Sequence, residues 1–91
     1  MPTEEQLLDK IRVLWQATDF GRREPQIDEA EEIDFYINSA CASIQSCILL
    51  LRQAPSDEHA DERLKEIETN LSLLREIADL AVFRGRTTRR D

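Results

Sequence analysis

Residues 35–51 read FYINSACASIQSCILLL, and no charged side chain interrupts them in a chain of 91 residues of which 34% are charged. The apolar spacing around this stretch is helical. Ala30, Ile33, Ile37, Ala40, Ile44, Cys47 and Leu51 succeed one another in steps of three and four, which gathers them on one helix face. A strand would need every second residue apolar, and that alternation is absent. The middle is small (Ser39, Ala40, Cys41, Ala42, Ser43, Ser46, Cys47), so a neighbouring helix can approach closely. About seventeen residues is the short limit for a membrane span, and Asn38, Ser39, Ser43, Gln45 and Ser46 dilute it. The stretch therefore reads as the middle of a buried soluble helix.

On its N-terminal side, Asp28 and Glu31 form a capping pattern that starts this helix, and on the other side Pro55 ends it near Gln53. A link of only a few residues, Ala54-Pro55-Ser56, makes the next helix its antiparallel neighbour. That helix is capped by Ser56 or Asp57. It carries Ala60, Leu64, Ile67, Leu71, Leu74, Ala78 and Ala81 in alternating steps of four and three, a heptad seam matched by the seam of the preceding helix. Its second half adds Leu73, Ile77, Leu80, Val82 and Phe83, which widen the apolar surface beyond one seam. Gly85 is read as the helix end, with a basic, disordered tail after it. Before the hairpin, Thr3 and Gln6 form a capping box, and Leu7, Leu8, Ile11, Leu14 and Trp15 make one apolar stripe. Gly21 and Pro25 mark a loop between.

The expectation is an all-α single domain, residues 1–84, with helices at about 3–18, 28–53 and 57–84. The long hairpin of the second and third helices carries the shorter first one, and residues 85–91 form the tail. A chain this short buries a modest core. The apolar surface of the hairpin exceeds what the first helix can cover, which predicts a homodimer or higher oligomer.

The net charge of −7 argues against nucleic acid as a partner. Cys41 and Cys47 lie six apart on one helix, too far along its axis to bond to each other. With no signal peptide visible, the free thiols suit a reducing cytoplasm. No Gly-rich phosphate loop or zinc spacing is present, no cofactor is implied, and the lone His59 has no nucleophile nearby in sequence. Both cysteines read as inert core.

Three functional readings are open. The first is a non-enzymatic, regulatory protein-binding module of the inhibitor, immunity, adaptor or chaperone type, using Leu73, Ile77, Leu80 and Phe83, with Phe20, as its contact residues. An acidic face would steer a basic partner. The second is sequestration of a small phosphorylated ligand by Arg22, Arg23, Arg84 and Arg86 at an oligomer seam. The layout of short helix, loop and long hairpin resembles some phage proteins that absorb cyclic nucleotide signals; the likeness is of architecture alone. The third comes from Glu29-x-x-Glu32 and Glu76-x-x-Asp79. These pairs resemble the paired acidic motifs of all-α nucleoside triphosphate pyrophosphohydrolases of the MazG type, whose carboxylates hold Mg²⁺ against the phosphates. The resemblance covers four residues, with a longer separation than the family's pattern. It implies a metal site of Glu29, Glu32, Glu76 and Asp79, where the simpler reading is a solvated acidic face.

Overall fold

The structure, a computed structural model, describes residues 3–23, 31–54, 56 and 58–88, with residues 87 and 88 described by backbone alone. Every regular element among them is helical: α1 (Glu4–Ala17), α2 (Asp19–Arg23), α3 (Glu32–Gln53) and α4 (Ala60–Thr88). Asp28, Pro55 and Asp57 lie outside the described residues; α3 begins at Glu32 and α4 at Ala60, later than the expected starts near 28 and 57, with Glu31, Glu58 and His59 in turns before them.

The capping box at α1 is formed. Thr3 Oγ1 accepts from the Gln6 N–H at 3.2 Å, and Gln6 Oε1 accepts from the Thr3 N–H at 2.9 Å. Two orphan donors of the first turn are thereby satisfied. The stripe of Leu7, Ile11 and Trp15 is buried.

After α1 the chain makes a tight reversal in place of the expected open loop. Thr18 takes extended backbone angles and ends the helix. Its buried hydroxyl donates to the Trp15 carbonyl at 2.6 Å and accepts from the Gly21 N–H at 3.1 Å, closing α1 and capping α2 with one side chain. Gly21 is needed for proximity, since none of the described glycines has positive φ. A Cβ there would lie 1.8 Å from the Trp15 carbonyl oxygen, so only hydrogen fits where α2 folds back on α1.

Contacts fix the directions of the long helices. Arg84 Nε donates to Glu4 at 2.8 Å at one end of α1, and the Asp19 N–H donates to Glu66 at 3.0 Å at the other. Helix α1 thus runs antiparallel to α4. Asn70 donates to Ser43 at 3.3 Å, and farther along α3 Cys47 and Leu50 share a cleft with Glu66 and Glu62, so α3 is antiparallel to α4 as well. Helix α1 packs along α4 and meets α3 at its N-terminal part, through Arg12 and Glu32 and through the Trp15 ring. That ring meets Phe35 edge-on, with centroids 5.5 Å apart, and Tyr36 at 4.8 Å.

The core is Leu7, Ile11, Trp15, Tyr36, Ala40, Leu73, Ile77 and Leu80. This reverses one expectation. Leu73, Ile77 and Leu80, read as a partner surface, are 0%, 6% and 1% exposed and hold the protomer together, with Phe83 half-buried against them. The physical reason is the docking of α1. Helix α4 has two apolar stripes, and α1 covers the shorter one.

The helix also does not stop at Gly85, nor does a disordered tail begin there: α4 continues through Arg86 to Thr88. A glycine ends a helix when it turns left-handed. Gly85 does not, and a Cβ there would meet nothing within 4 Å. Arg86 in the last turn complements the helix dipole.

The molecule measures 54 × 24 × 19 Å. Its core stops at Ser43 on α3 and starts at Asn70 on α4, and no described residue between 44 and 69 is buried. The far half of the hairpin projects beyond α1 as a two-helix arm. By length and composition alone α3 could cross a membrane.

Candidate functional site

The long seam of α4 is on the outside. Leu64 and Leu71 are 49% and 53% exposed, as is Val82 at 54%, and Ala78 and Ala81 are exposed. Ala60, Ile67 and Leu74 are half-buried. Helical rotation turns Leu64, Leu71, Ala78 and Val82 away from the Leu73–Ile77–Leu80 stripe that α1 covers. On α3 the residues opposite the Phe35 side, where Trp15 sits, are Ile37, Cys41, Ile44 and Ile48. Ile37 and Ile44 are half-buried; Cys41 and Ile48 are exposed. The two stripes border each other. The α3–α4 layer therefore has α1 on one face and a bare apolar face on the other, continued along the arm. Aromatic content is low there, and Phe20, 40% exposed on α2, lies on the α1 side instead.

Buried polar groups set the register behind this face. The Asn70 amide is 1% exposed and donates to Ser43, to the Glu66 carbonyl at 2.8 Å and to the Glu66 carboxylate at 3.1 Å. A single satisfied polar residue in an apolar seam costs some stability but fixes one alignment of the two helices. Asn70 bonds only at the level of Ser43, so α3 cannot slide along α4 by a turn without leaving it unpaired.

A second network joins α1 to α3. Glu32 receives Arg12 Nε at 2.8 Å, Arg12 Nη2 at 3.1 Å and the Tyr36 hydroxyl at 2.6 Å. The hydrogen bonds from Arg12 hold the Glu32 carboxyl below the usual carboxylate range, against burial, which pushes it up; the Tyr36 bond and the Arg12 charge add to the lowering. Burial, and then the Glu32 carboxylate, push the Tyr36 hydroxyl well above its ordinary value.

This network bears on the metal reading. Glu32 is 8% exposed and bound to two partners inside the protomer, so it is not a ligand waiting for Mg²⁺. Glu29 lies outside the described residues. Glu76 is half-buried beside Asp9, Lys10, Val13 and Leu14, and Asp79 is exposed. Among the described residues no three His, Cys, Asp or Glu side chains converge.

The arginines are likewise separated. Arg22 and Arg23 sit in α2, and Arg84 and Arg86 lie near the opposite end of α1, which at 14 residues puts about 20 Å between the pairs. Arg22 binds Asp19 at 2.9 Å and Arg84 binds Glu4. One protomer does not gather them. Where α1 ends against the arm there is an open cleft of about 590 Å³, floored by Cys47 and Leu50. Arg22, Arg63 and Lys65 line it against Asp19, Glu62 and Glu66, so its formal charge cancels. His59, exposed, bonds Glu62 at 3.3 Å.

The cysteines differ from expectation in part. Cys41 is exposed on the bare face and is not core. Cys47 is half-buried; burial, with the Glu66 charge behind it, pushes its thiol pKa up despite the hydrogen bond from Ser43. It stays protonated and unreactive at neutral pH.

The residues that form the exposed surface were visible in sequence, but as the inner seam of the hairpin. The signal that separates the stripes is length. Leu7 to Trp15 spans about 12 Å and Leu73 to Leu80 about 10 Å, a match that the seam from Ala60 to Ala81 does not offer. Comparison with protein families, with curated proteins and with solved structures returns no match to this chain.

Proposed function

We propose that this protein is a small, non-enzymatic, cytoplasmic binding module of the adaptor, inhibitor, immunity or chaperone type, which works by burying the bare α3–α4 face against protein. One observation carries the reading. Leu64, Leu71, Val82 and Ile48, each between 40% and 54% exposed, lie on one continuous face without a covering element among the described residues. Finishing the burial of a half-exposed Leu, Val or Ile is worth about 1 kcal/mol, so these four alone supply roughly 4 kcal/mol toward association.

A soluble setting is supported by how α3 is held. Asn70 binds α4 to it, and α4 carries Asp61, Glu62, Lys65 and Glu68 beside the most apolar part of α3. Placing α3 in a bilayer would take these charges with it or break the hairpin, at several kcal/mol per charge. A phosphate-binding role draws less support, because the cleft's cations are matched by carboxylates and the arginine pairs are far apart.

The test compares the full chain with Leu71→Asp by size-exclusion light scattering, alone and in host extract, with circular dichroism as the control for folding. The wild type should run above 10.6 kDa in at least one condition, and the variant, equally helical, should not. A wild type at 10.6 kDa in both conditions, or a variant indistinguishable from it, overturns the reading.

A further inference from the structure

We infer that the bare face is covered by a second copy of this chain, docked antiparallel so that α4 lies along α4 across a two-fold axis passing close to Leu71. This dimer rests on the binding-module reading and gives that module its partner. Three observations lead to it.

The exposed seam is periodic. Ala60, Leu64, Ile67, Leu71, Leu74, Ala78 and Ala81 keep heptad spacing over about 32 Å, and Leu64, Leu71, Ala78 and Ala81 in it are exposed. Such a seam fits a long helix of the same periodicity, and this chain carries one.

The charges beside the seam are self-complementary in one direction only. Asp61, Glu68, Arg75 and Val82 flank it on the side away from α3, and all four are exposed. Antiparallel pairing about the stated axis sets Glu68 opposite Arg75 of the second copy, and Arg75 opposite its Glu68. Parallel pairing would instead bring this flank to the other side of the partner seam. That side holds Asn70 and Ile77, already buried within the protomer.

The size is right. A face about 32 Å long and two helices wide covers roughly 600–700 Å² per copy, near the 800 Å² of an ordinary stable interface.

The experiment is sedimentation equilibrium on the full chain and on Glu68→Arg, Arg75→Glu, the double swap and Leu71→Asp. The wild type should sediment at twice 10.6 kDa. Each single swap turns two attractions into two repulsions and should weaken the dimer about tenfold. The double swap should return affinity to within about twofold of wild type. Leu71→Asp should be monomeric with unchanged helicity. A dimer whose double swap stays as weak as the singles overturns the antiparallel arrangement. A monomeric wild type overturns the second copy as occupant. If in that case Leu71→Asp still abolishes a complex formed in host extract, the binding-module reading survives and only the second copy is lost.

Discussion

Leu80 and Leu71 are nine residues apart on one helix, and the fold assigns them opposite roles. Leu80 is 1% exposed in the core beneath α1; Leu71 is 53% exposed on the far face. Truncating Leu80 to Ala removes nearly a full leucine's transfer free energy, about 2–3 kcal/mol. It also leaves a cavity between α1, α3 and α4, which raises the cost to about 3–4 kcal/mol. A domain of this size has roughly 5–10 kcal/mol in all, so the variant should lose close to half of it. Its melting midpoint should drop by about 15–25 °C. Truncating Leu71 forfeits about half the transfer energy and leaves no cavity, which predicts about 1 kcal/mol. Urea unfolding monitored by circular dichroism measures both, at two protein concentrations tenfold apart. The Leu80→Ala deficit should not depend on concentration, because it is internal to one protomer. The Leu71→Ala deficit should grow at the higher concentration, where the wild type gains from association. Equal, concentration-independent losses at the two positions would show that the faces of α4 have been assigned the wrong way round.

Gly21→Ala should cost at least about 2 kcal/mol, because its Cβ would sit 1.8 Å from the Trp15 carbonyl oxygen and α2 would have to leave α1. Gly85→Ala, with open space at the Cβ, should gain about 0.5–1 kcal/mol; a reversed order in thermal melts would contradict the packing described for both. Stability should also fall at both ends of the pH scale. The folded Glu32 pKa lies below its ordinary 4.5, so its contribution is complete above that value and disappears as pH falls through the lowered one. The folded Tyr36 pKa lies above its ordinary 10.0, so its contribution is complete below that and disappears as pH rises toward the raised value. Denaturation midpoints from acid to alkaline pH should therefore show a shallower acid limb in Glu32→Gln and a shallower alkaline limb in Tyr36→Phe. Limbs parallel to wild type would mean that the network contributes nothing to folding.

The helical fold was legible because its signals are local. The capping box at Thr3 and Gln6, the helical periodicity of residues 33–51 and the helix end at Gln53 each depend on residues within a few positions of one another. Two features were not legible, for different reasons. Thr18 and Gly21 make a tight reversal whose sequence looks like any polar loop; it depends on the Trp15 carbonyl, a backbone group that composition does not reveal. The choice of stripe on α4 is a competition between helices. Periodicity establishes that Leu64–Leu71–Ala78 and Leu73–Ile77–Leu80 are both apolar rows, and it is silent on which neighbour takes which. Beside the match in length with α1, the polar residues bear on it. Asn70 and Glu66 continue the inner row, and both are engaged there: Asn70 with Ser43, Glu66 with Asn70 and the Asp19 backbone. On the outer row neither would have a partner within the protomer, and an unpaired amide covered by an associating chain would cost about 1–3 kcal/mol. The row holding the satisfied amide is thus the one that must close inside the protomer, and the row free of such groups is the one that can be opened to water and covered again. The polar pair at 66 and 70 thus selects which row closes inside the protomer and leaves the outer seam facing solvent.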